Sequence, residues 1–331
     1  MNLETQRKVR ESKTPGREDI APRASVAEER RPAPVTATPK DIHTSDLTAS
    51  CAHSVELRHA GKIEGQGTSA LLRGNLFHAV LQALHRRGDF SVGAIVGAVN
   101  DAGAQVQDSM ARENRPITPA ALAALPTTKA EVAKLSGFYG ERLAPMVKSG
   151  KLIGCELPIR CEIDGFSFAS HLDLLWRDSL GELRLWDYKS GEDTPTFAYL
   201  SRNPQLGMYS YALRFGEVLL PGGWGWTAFE EVAQVSWIHL NNLAPYSRKT
   251  KGAGDDGQER EFAAGEHRPL SRIIHTPNLS NFDAIREMFL TRARMMEAGF
   301  FPTNPDPVGC QVCESRKWCG SFSSNGGNGD E

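Results

Sequence analysis

Three consecutive segments with the two-residue period of β-strands constrain the fold most, and they cover residues 152–163, 166–178 and 182–191. Only short connections separate them, which indicates a meander of neighbouring strands. Two further strands are predicted over residues 232–240 and 271–276. Segments with a helical period surround these strands, over residues 45–59, 71–88, 91–113, 128–148, 203–216 and 282–299. This order predicts an α/β fold with a small mixed sheet flanked by helices, in which about residues 91–150 form a helical insertion.

The two ends of the chain differ in composition from its middle. Residues 1–43 contain several prolines, mixed charges and no Phe, Tyr or Trp, so they are predicted to be a disordered tail. Residues 321–331 are predicted to be a second, flexible tail, and the polar, glycine-rich residues 248–269 a long surface loop. The folded domain is therefore expected over residues 44–320.

Charge and hydropathy bound the class of protein. The formal net charge is -2, so nucleic-acid binding would need a local basic surface rather than bulk charge. Apolar runs fall short of the roughly 20 residues of a membrane span, and the first residues lack the apolar core of a signal peptide. We therefore expect a cytoplasmic protein with no membrane partner.

Alternation along the strands predicts that four polar groups converge on one side of the sheet. Asp187 and Lys189 are two residues apart, so they project from the same face. Asp173 is assigned to the face opposite an apolar row formed by Leu172, Leu174 and Trp176. Glu156 is likewise assigned to the face opposite an apolar row formed by Ile153, Cys155, Leu157, Ile159 and Cys161.

This set of residue types suits phosphodiester hydrolysis. Two carboxylates can hold a hard divalent cation such as Mg²⁺ or Mn²⁺, which polarises a phosphate and lowers the pKa of a bound water. A neighbouring lysine can orient or deprotonate that water, or offset the charge that builds on the phosphate. A D-x-K pair such as Asp187–Lys189 also occurs as an ordinary ion pair on a solvated strand, so the flanking motifs have to decide.

Four motifs, taken in order, resemble the RecB-like branch of the PD-(D/E)XK nucleases, which includes the AddB nuclease domain and the CRISPR-associated RecB-like exonucleases. GNLFHAVLQAL contains His78, HLDLLW contains Asp173, and LWDYKSG contains Asp187 and Lys189. NPQLGMYSYAL resembles the glutamine–tyrosine helix of that branch, with Gln205 and Tyr209 on one helical face. The resemblance covers about residues 44–320. It departs from many relatives before the second-motif aspartate, where this chain has Ser170, His171 and Leu172, and the third-motif carboxylate is Asp rather than Glu.

The resemblance implies a restriction-endonuclease-like core and metal-dependent cleavage of DNA, by an exonuclease acting on single strands or duplex ends. It implies that His78, Asp173 and Asp187 bind the cation together with the Tyr188 carbonyl, and that Lys189 orients or activates water. Gln205 and Tyr209 would hold the substrate or support Lys189, and Glu156 matches a recurrent acidic strand position. A histidine such as His78 is otherwise most often a plain helix-edge residue. Basic side chains that could contact phosphates are Arg73, Arg86, Arg87 and Arg202.

The cysteines fall into two groups. Cys155 and Cys161 lie in an apolar strand pattern and are predicted to be core residues. Cys310, Cys313 and Cys319 have the close spacing of a metal site. Cys51 is the candidate fourth ligand, because iron–sulfur members of the resembled family have one cysteine before the histidine motif and three after the last helix. The resemblance implies a [4Fe–4S] cluster in this Cys₄ staple, and a structural zinc site is the alternative.

Two other functions compete with nuclease activity. The first is a non-catalytic DNA-binding or assembly subunit of a nuclease–helicase complex with the same fold. The second is a zinc-stapled structural protein in which the D-x-K sequence is fortuitous. The chain has no G-x-x-x-x-G-K-[ST] motif, so a helicase, recombinase or CRISPR adaptation protein would be a separate partner in repair, recombination or phage-related DNA processing.

Overall fold

The computed structural model describes residues 41–49, 51–60, 68–112, 117–190, 203–222, 225–229, 232–240, 249–253, 259–264, 266, 271–275 and 281–301. By its internal contacts the chain divides into residues 1–34 and residues 35–331, and every described residue belongs to the second unit. Within the described ranges, no helix has both the length and the apolar character needed to cross a membrane.

The helices and strands follow the predicted order. The helices are α1 Thr44–Thr48, α2 Ala52–His59, α3 Ser69–Arg87, α4 Val92–Arg112, α5 Pro119–Ala123, α6 Leu125–Arg142, α7 Ala144–Lys148, α8 Pro204–Phe215 and α9 Phe282–Glu297. The strands are β1 Ile42–His43, β2 Lys151–Ile163, β3 Phe166–Arg177, β4 Leu183–Lys189, β5 Glu217–Leu219, β6 Trp226–Thr227, β7 Gln234–His239, β8 Thr250–Ala253, β9 Glu259–Phe262 and β10 Ser271–His275.

The central sheet is mixed, as the sequence predicts. Its strand order is β10-β7-β4-β3-β2-β5-β6, and β1 pairs with β3 outside this path. The meander β2-β3-β4 is antiparallel, whereas β4 pairs with β7 and β1 with β3 in parallel. The small mixed sheet flanked by helices therefore confirms the predicted α/β class.

Each face of the sheet carries its own hydrophobic cluster. On the first face, α8 and α9 pack against the sheet, and the cluster includes Leu185, Leu206 and Phe289. On the second face, α3, α4 and α6 pack against the sheet, and the cluster includes Trp186, Phe77 and Val132. Adjacent residues of β4 thus belong to opposite faces, as the two-residue period of a strand requires.

Two helices that carry candidate site residues begin at well-formed caps. The Thr68 side chain accepts a hydrogen bond from the backbone N–H of Leu71 at the start of α3, and Gly88 ends that helix in the left-handed region. The Asn203 side chain accepts from the backbone N–H groups of Gln205 and Leu206 at the start of α8. These caps fix where each helix starts, and therefore which of its residues face the sheet.

The predicted strand faces are wrong at one place. The β2–β3 register shifts between Leu152 and Gly154, and Glu156 has a positive φ of 51°. Cys155 consequently packs into the second cluster, whereas Leu157, Ile159 and Cys161 pack into the first. The partner strand β3 also departs from the predicted single apolar row. Leu172 packs into the first cluster, whereas Leu174 and Trp176 pack into the second. A bulge of this kind breaks strict alternation, which assumes one residue per step on both strands.

Several predicted boundaries also differ. Residues 45–59 form two helices, not one, and the segment predicted as a helix over 128–148 is divided between α6 and α7, where Pro145 occupies the first turn of α7. The predicted loop 248–269 contains the antiparallel pair β8–β9. Strand β1 lies at the end of the predicted tail, and the short strands β5 and β6 were not predicted.

Candidate active site

The candidate site is built around a fork between two strands. The β3–β4 pairing runs from Arg177↔Leu183 to Leu174↔Trp186 and does not continue to Asp173. There the backbone N–H of Tyr188 donates a hydrogen bond to Oδ2 of Asp173 instead. The Asp173 side chain therefore occupies the gap where the strands separate, and it is buried although it is acidic.

Asp187 and Lys189 project from the same face of β4, as the sequence predicts. Oδ2 of Asp187 lies 2.5 Å from Nζ of Lys189. Asp187 is 1% exposed, whereas the Lys189 side chain is 29% exposed. Lys189 also lies over the Trp237 ring, with Nζ 5.2 Å from the ring centroid. The pair thus joins a buried carboxylate to an ammonium group that reaches the surface.

Helix α8 brings the predicted glutamine and tyrosine to this pair. Nε2 of Gln205 donates to Oδ1 of Asp187 at 2.9 Å and to the Tyr209 hydroxyl at 3.0 Å. Gln205 and Tyr209 are one helical turn apart, so both can face the same strand. Gln205 therefore binds one oxygen of the Asp187 carboxylate and Lys189 the other, and Tyr209 in turn holds Gln205.

His78 reaches the fork from α3, on the second face of the sheet. Its Nδ1 lies 2.9 Å from Oε1 of Glu156 and 3.5 Å from Oδ1 of Asp173. Glu156, which follows the register shift and has a positive φ, interrupts the alternation of β2 and supplies the acidic partner. Glu156 therefore has a place in the site through its contact with His78, although the strict alternation used to predict that place does not hold.

Burial and the concentration of charge shift the ionisation of these groups. Burial would lower the pKa of His78, but the carboxylates of Asp173 and Glu156 outweigh it and raise its pKa to about 9. Burial raises the pKa of Asp187 to about 6, although Lys189 opposes the rise. Burial also raises the pKa of Asp173 despite the neighbouring His78. The carboxylates are thus costly to ionise without a cation, as in sites that bind metal.

The donor atoms present suit a divalent cation. Within the described part of the chain, His78, Glu156 and Asp173 offer ligand atoms that all lie within 4.8 Å of one another. Oδ2 of Asp187 is buried and accepts no hydrogen bond of good geometry from a described residue, despite its ion pair with Lys189. Oxygen and imidazole donors of this kind bind Mg²⁺ or Mn²⁺. The compact donor set includes Glu156 rather than Asp187, which was the predicted third ligand.

Other predicted residues are not members of this donor set or lie outside the described residues. Arg73 is paired with Glu131 and Arg87 with Asp101, while Arg86 is exposed. Arg202, Cys310, Cys313 and Cys319 lie outside the described residues, so their predicted roles stay predictions. Cys155 and Cys161 are buried in the two clusters, as predicted for core residues.

Two groups of polar contacts near the site were not predicted from the sequence. The first connects Tyr209 to Ser170, and Ser170 to Thr44. The sequence offered one sign of this group, because Ser170 is among the positions where the second motif departs from many relatives. The second connects the Tyr188 hydroxyl to Tyr139 and His85. His85 follows His78 by two turns of α3, a spacing that places both on one side of the helix.

Comparison with known proteins defines the class of this fold and site. The family model described as the PD-(D/E)XK nuclease superfamily matches residues 46–320. The chain therefore belongs to the PD-(D/E)XK nuclease superfamily, and its mixed sheet with flanking helices is the restriction-endonuclease-like fold of that superfamily. A comparison with curated proteins gives no match.

Two solved structures are similar over most of their length. The protein described as SSO0001 is 11% identical with a TM-score of 0.36, over 86% of this chain and 87% of that one. A protein from Eubacterium rectale, provisionally described as an exonuclease, is 10% identical with a TM-score of 0.43, over 87% of this chain and 94% of that one.

Proposed function

We propose that this nuclease is a metal-dependent deoxyribonuclease of the RecB-like branch that hydrolyses phosphodiester bonds. The observation that carries the proposal is the strand fork, where a buried pair of carboxylates, Asp173 and Asp187, meets the ammonium group of Lys189. A solvated ion pair would not bury both carboxylates, because each costs free energy to remove from water. The flanking Gln205 and His78 complete the set expected from the four motifs.

The residues of the site have separable roles in this proposal. His78, Glu156 and Asp173 would hold the cation, and Asp187, whose Oδ2 is buried beside Lys189, would be a further ligand. A bound divalent cation supplies Lewis acidity and lowers the pKa of water. Lys189 keeps its proton, since the nearby Asp187 and Asp173 overcome burial and hold its pKa above the usual range. Lys189 therefore orients water and offsets negative charge on the phosphate as a hydrogen-bond donor.

In this proposal the protein is an exonuclease that acts on single-stranded DNA or duplex ends, with or without a separate helicase, recombinase or CRISPR adaptation protein as a partner. Support comes from the four motifs of the RecB-like branch, which this chain contains in order. A broken carboxylate–lysine motif would favour the alternative of a non-catalytic DNA-binding subunit. In this chain both Asp187 and Lys189 are present and in contact, which favours the catalytic function.

The test is cleavage of DNA labelled at one end, single-stranded and double-stranded, with Mn²⁺ and with EDTA. We expect shortened products only with Mn²⁺. Asp187→Ala should abolish them, whereas Asp108→Ala, which removes an exposed carboxylate of α4, should cleave like the unaltered protein. Binding of DNA with no cleavage by the unaltered protein would support the non-catalytic alternative instead.

We also propose that Cys51, Cys310, Cys313 and Cys319 hold a [4Fe–4S] cluster, with zinc as the alternative. Cys51 is half-buried in the connection between α1 and α2, outside the sheet. Burial raises the pKa of Cys155 to about 12 and of Cys161 to about 11, which keeps both as thiols and unsuited to bind metal.

Metal and sulfide analysis of anaerobically purified protein tests the cluster. We expect iron with acid-labile sulfide and broad visible absorbance, which Cys51→Ala should lose and Cys155→Ala should keep. Zinc without iron or sulfide would contradict the cluster and support the structural zinc site.

A further inference from the structure

A continuous chain of hydrogen bonds runs from the candidate active site to the N-terminal segment of the fold. Gln205 donates to the Asp187 carboxylate and to the Tyr209 hydroxyl. The Ser170 hydroxyl donates to the Tyr209 hydroxyl oxygen at 3.3 Å. The Thr44 hydroxyl lies 2.6 Å from that of Ser170. Three side chains, Ser170, Tyr209 and Gln205, therefore connect Thr44, the first residue of α1, with the buried Asp187 carboxylate.

The direction of these bonds follows from the contacts. Because Ser170 uses its hydrogen on Tyr209, its oxygen is available to accept from Thr44. The Tyr209 oxygen then accepts from both Ser170 and Gln205. The Tyr209 oxygen is thus held between the Ser170 and Gln205 donors, and loss of the Ser170 donor leaves it held from the Gln205 side alone.

Burial and strand pairing hold this chain in place. Parallel pairing of β1 with β3 joins His43 to Ala169, so the next residues, Thr44 and Ser170, come side by side. Tyr209 is 3% exposed and Thr44 is 9% exposed, so water replaces a lost partner poorly at either position.

We propose that Ser170 and Thr44 are positioning residues for the metal site: their hydroxyls hold Tyr209 and Gln205 in the geometry that orients Asp187. This rests on the proposed metal-dependent nuclease function. Neither residue touches the reacting groups, so the effect should appear in metal affinity more than in the rate at saturating metal. Removal of a residue that hydrogen-bonds to a metal ligand typically weakens metal affinity by about tenfold or more. Residues that are one or two hydrogen bonds further from the ligand should have a smaller effect.

The experiment compares single hydroxyl deletions in the full-length protein. Ser170→Ala should raise the dissociation constant for Mn²⁺, measured by calorimetry without DNA, by about threefold to tenfold, and Thr44→Val by about threefold. The double variant should bind Mn²⁺ as tightly as Ser170→Ala alone, because the first substitution already interrupts the chain of hydrogen bonds. Thr44→Ser, which keeps a hydroxyl, should bind Mn²⁺ like the unaltered protein. The cleavage rate at saturating Mn²⁺ should change by less than about twofold in all of them.

Ser210→Ala is the matched control. Ser210 is buried on α8 beside Tyr209, and its hydroxyl has no hydrogen-bond partner among the described residues. Its loss should leave Mn²⁺ binding unchanged. Mn²⁺ binding by Ser170→Ala and Thr44→Val equal to that of Ser210→Ala would overturn this inference. A wild-type protein that neither binds Mn²⁺ nor cleaves DNA would instead overturn the proposed function.

Discussion

Strand β4 carries a polar network on each face, and the two networks differ in what they connect. On the first face, Gln205 and Tyr209 meet the charged Asp187, which is paired with the partly exposed Lys189. This network therefore contains two ionised groups and opens to the surface through the lysine.

The network on the second face is closed and neutral. The Tyr188 hydroxyl lies 2.9 Å from that of Tyr139, which in turn lies 2.7 Å from Nε2 of His85. Burial raises the pKa of Tyr139 and Tyr188 far above the usual range. Burial together with the charge of Lys148 lowers the pKa of His85 to about 4. All three groups stay uncharged near neutral pH, so this network stabilises the packing of α3 and α6 on the sheet.

The difference indicates that neighbouring residues of one strand serve separate purposes. Asp187 and Lys189 bear the cost of buried charge, as candidate catalytic groups commonly do. Tyr188, between them, points the other way into the hydrophobic cluster of the second face. Substitutions of Asp187 and Lys189 should therefore change activity, and substitutions in the closed network of Tyr188, Tyr139 and His85 should change stability.

The largest expected effect follows removal of the lysine ammonium group. Lys189→Met should lower the cleavage rate by about 10²- to 10⁴-fold, because the variant keeps most of the side-chain volume and loses only the charged donor. Lys151→Met removes an exposed lysine at the start of β2 and should leave the rate unchanged. Cleavage rates measured with end-labelled DNA at saturating Mn²⁺ test this prediction. Similar rates for the two variants would show that the Lys189 ammonium group does not contribute to cleavage.

A smaller effect is expected in the pH dependence of stability, and it belongs to the second face. The pKa of His85 is lower in the folded chain than its ordinary value of 6.5, so the unfolded chain binds more protons between these values. Stability from neutral His85 is therefore complete above pH 6.5 and is lost as the pH falls toward 4, by about 3 kcal/mol in all.

Urea unfolding in EDTA at several pH values measures this loss. His85→Gln should remove it, so the difference in unfolding free energy between the two proteins should shrink as the pH falls from 6.5 to 4. A constant difference over that range would show that His85 is not held neutral in the folded protein.

The smallest of the three effects concerns His78. His78→Ala should raise the Mn²⁺ concentration for half-maximal cleavage by about tenfold, because it removes one donor of the candidate metal centre. His59→Ala, on α2, is the matched histidine control, and its metal titration should match that of the unaltered protein. If His78→Ala gives the same titration, His78 is a plain helix-edge residue.

The sequence was sufficient for contacts set by local geometry. Asp187 and Lys189 share a face because they are two residues apart on a strand, and Gln205 and Tyr209 because they are four apart on a helix. The helices and the meander followed from the periodicity of apolar residues for the same reason.

Contacts set by long-range pairing could not be predicted in this way. The fork at Asp173 and the bulge before Glu156 depend on the register between strands, which a single strand does not determine. The partners in the closed network are 49 and 54 residues apart, and only the packing of α3 and α6 on β4 brings them together.

The most direct test of the central claim pairs one variant from each face and measures both cleavage and unfolding. Asp187→Asn should abolish metal-dependent cleavage and change the unfolding free energy little, because the lost ion pair with Lys189 and the relieved repulsion from Asp173 oppose each other. Tyr139→Phe should lower the unfolding free energy by about 1–3 kcal/mol, because His85 and Tyr188 lose a partner, and should cleave at nearly the unaltered rate. Full cleavage by folded Asp187→Asn, or loss of cleavage by folded Tyr139→Phe, would contradict the account.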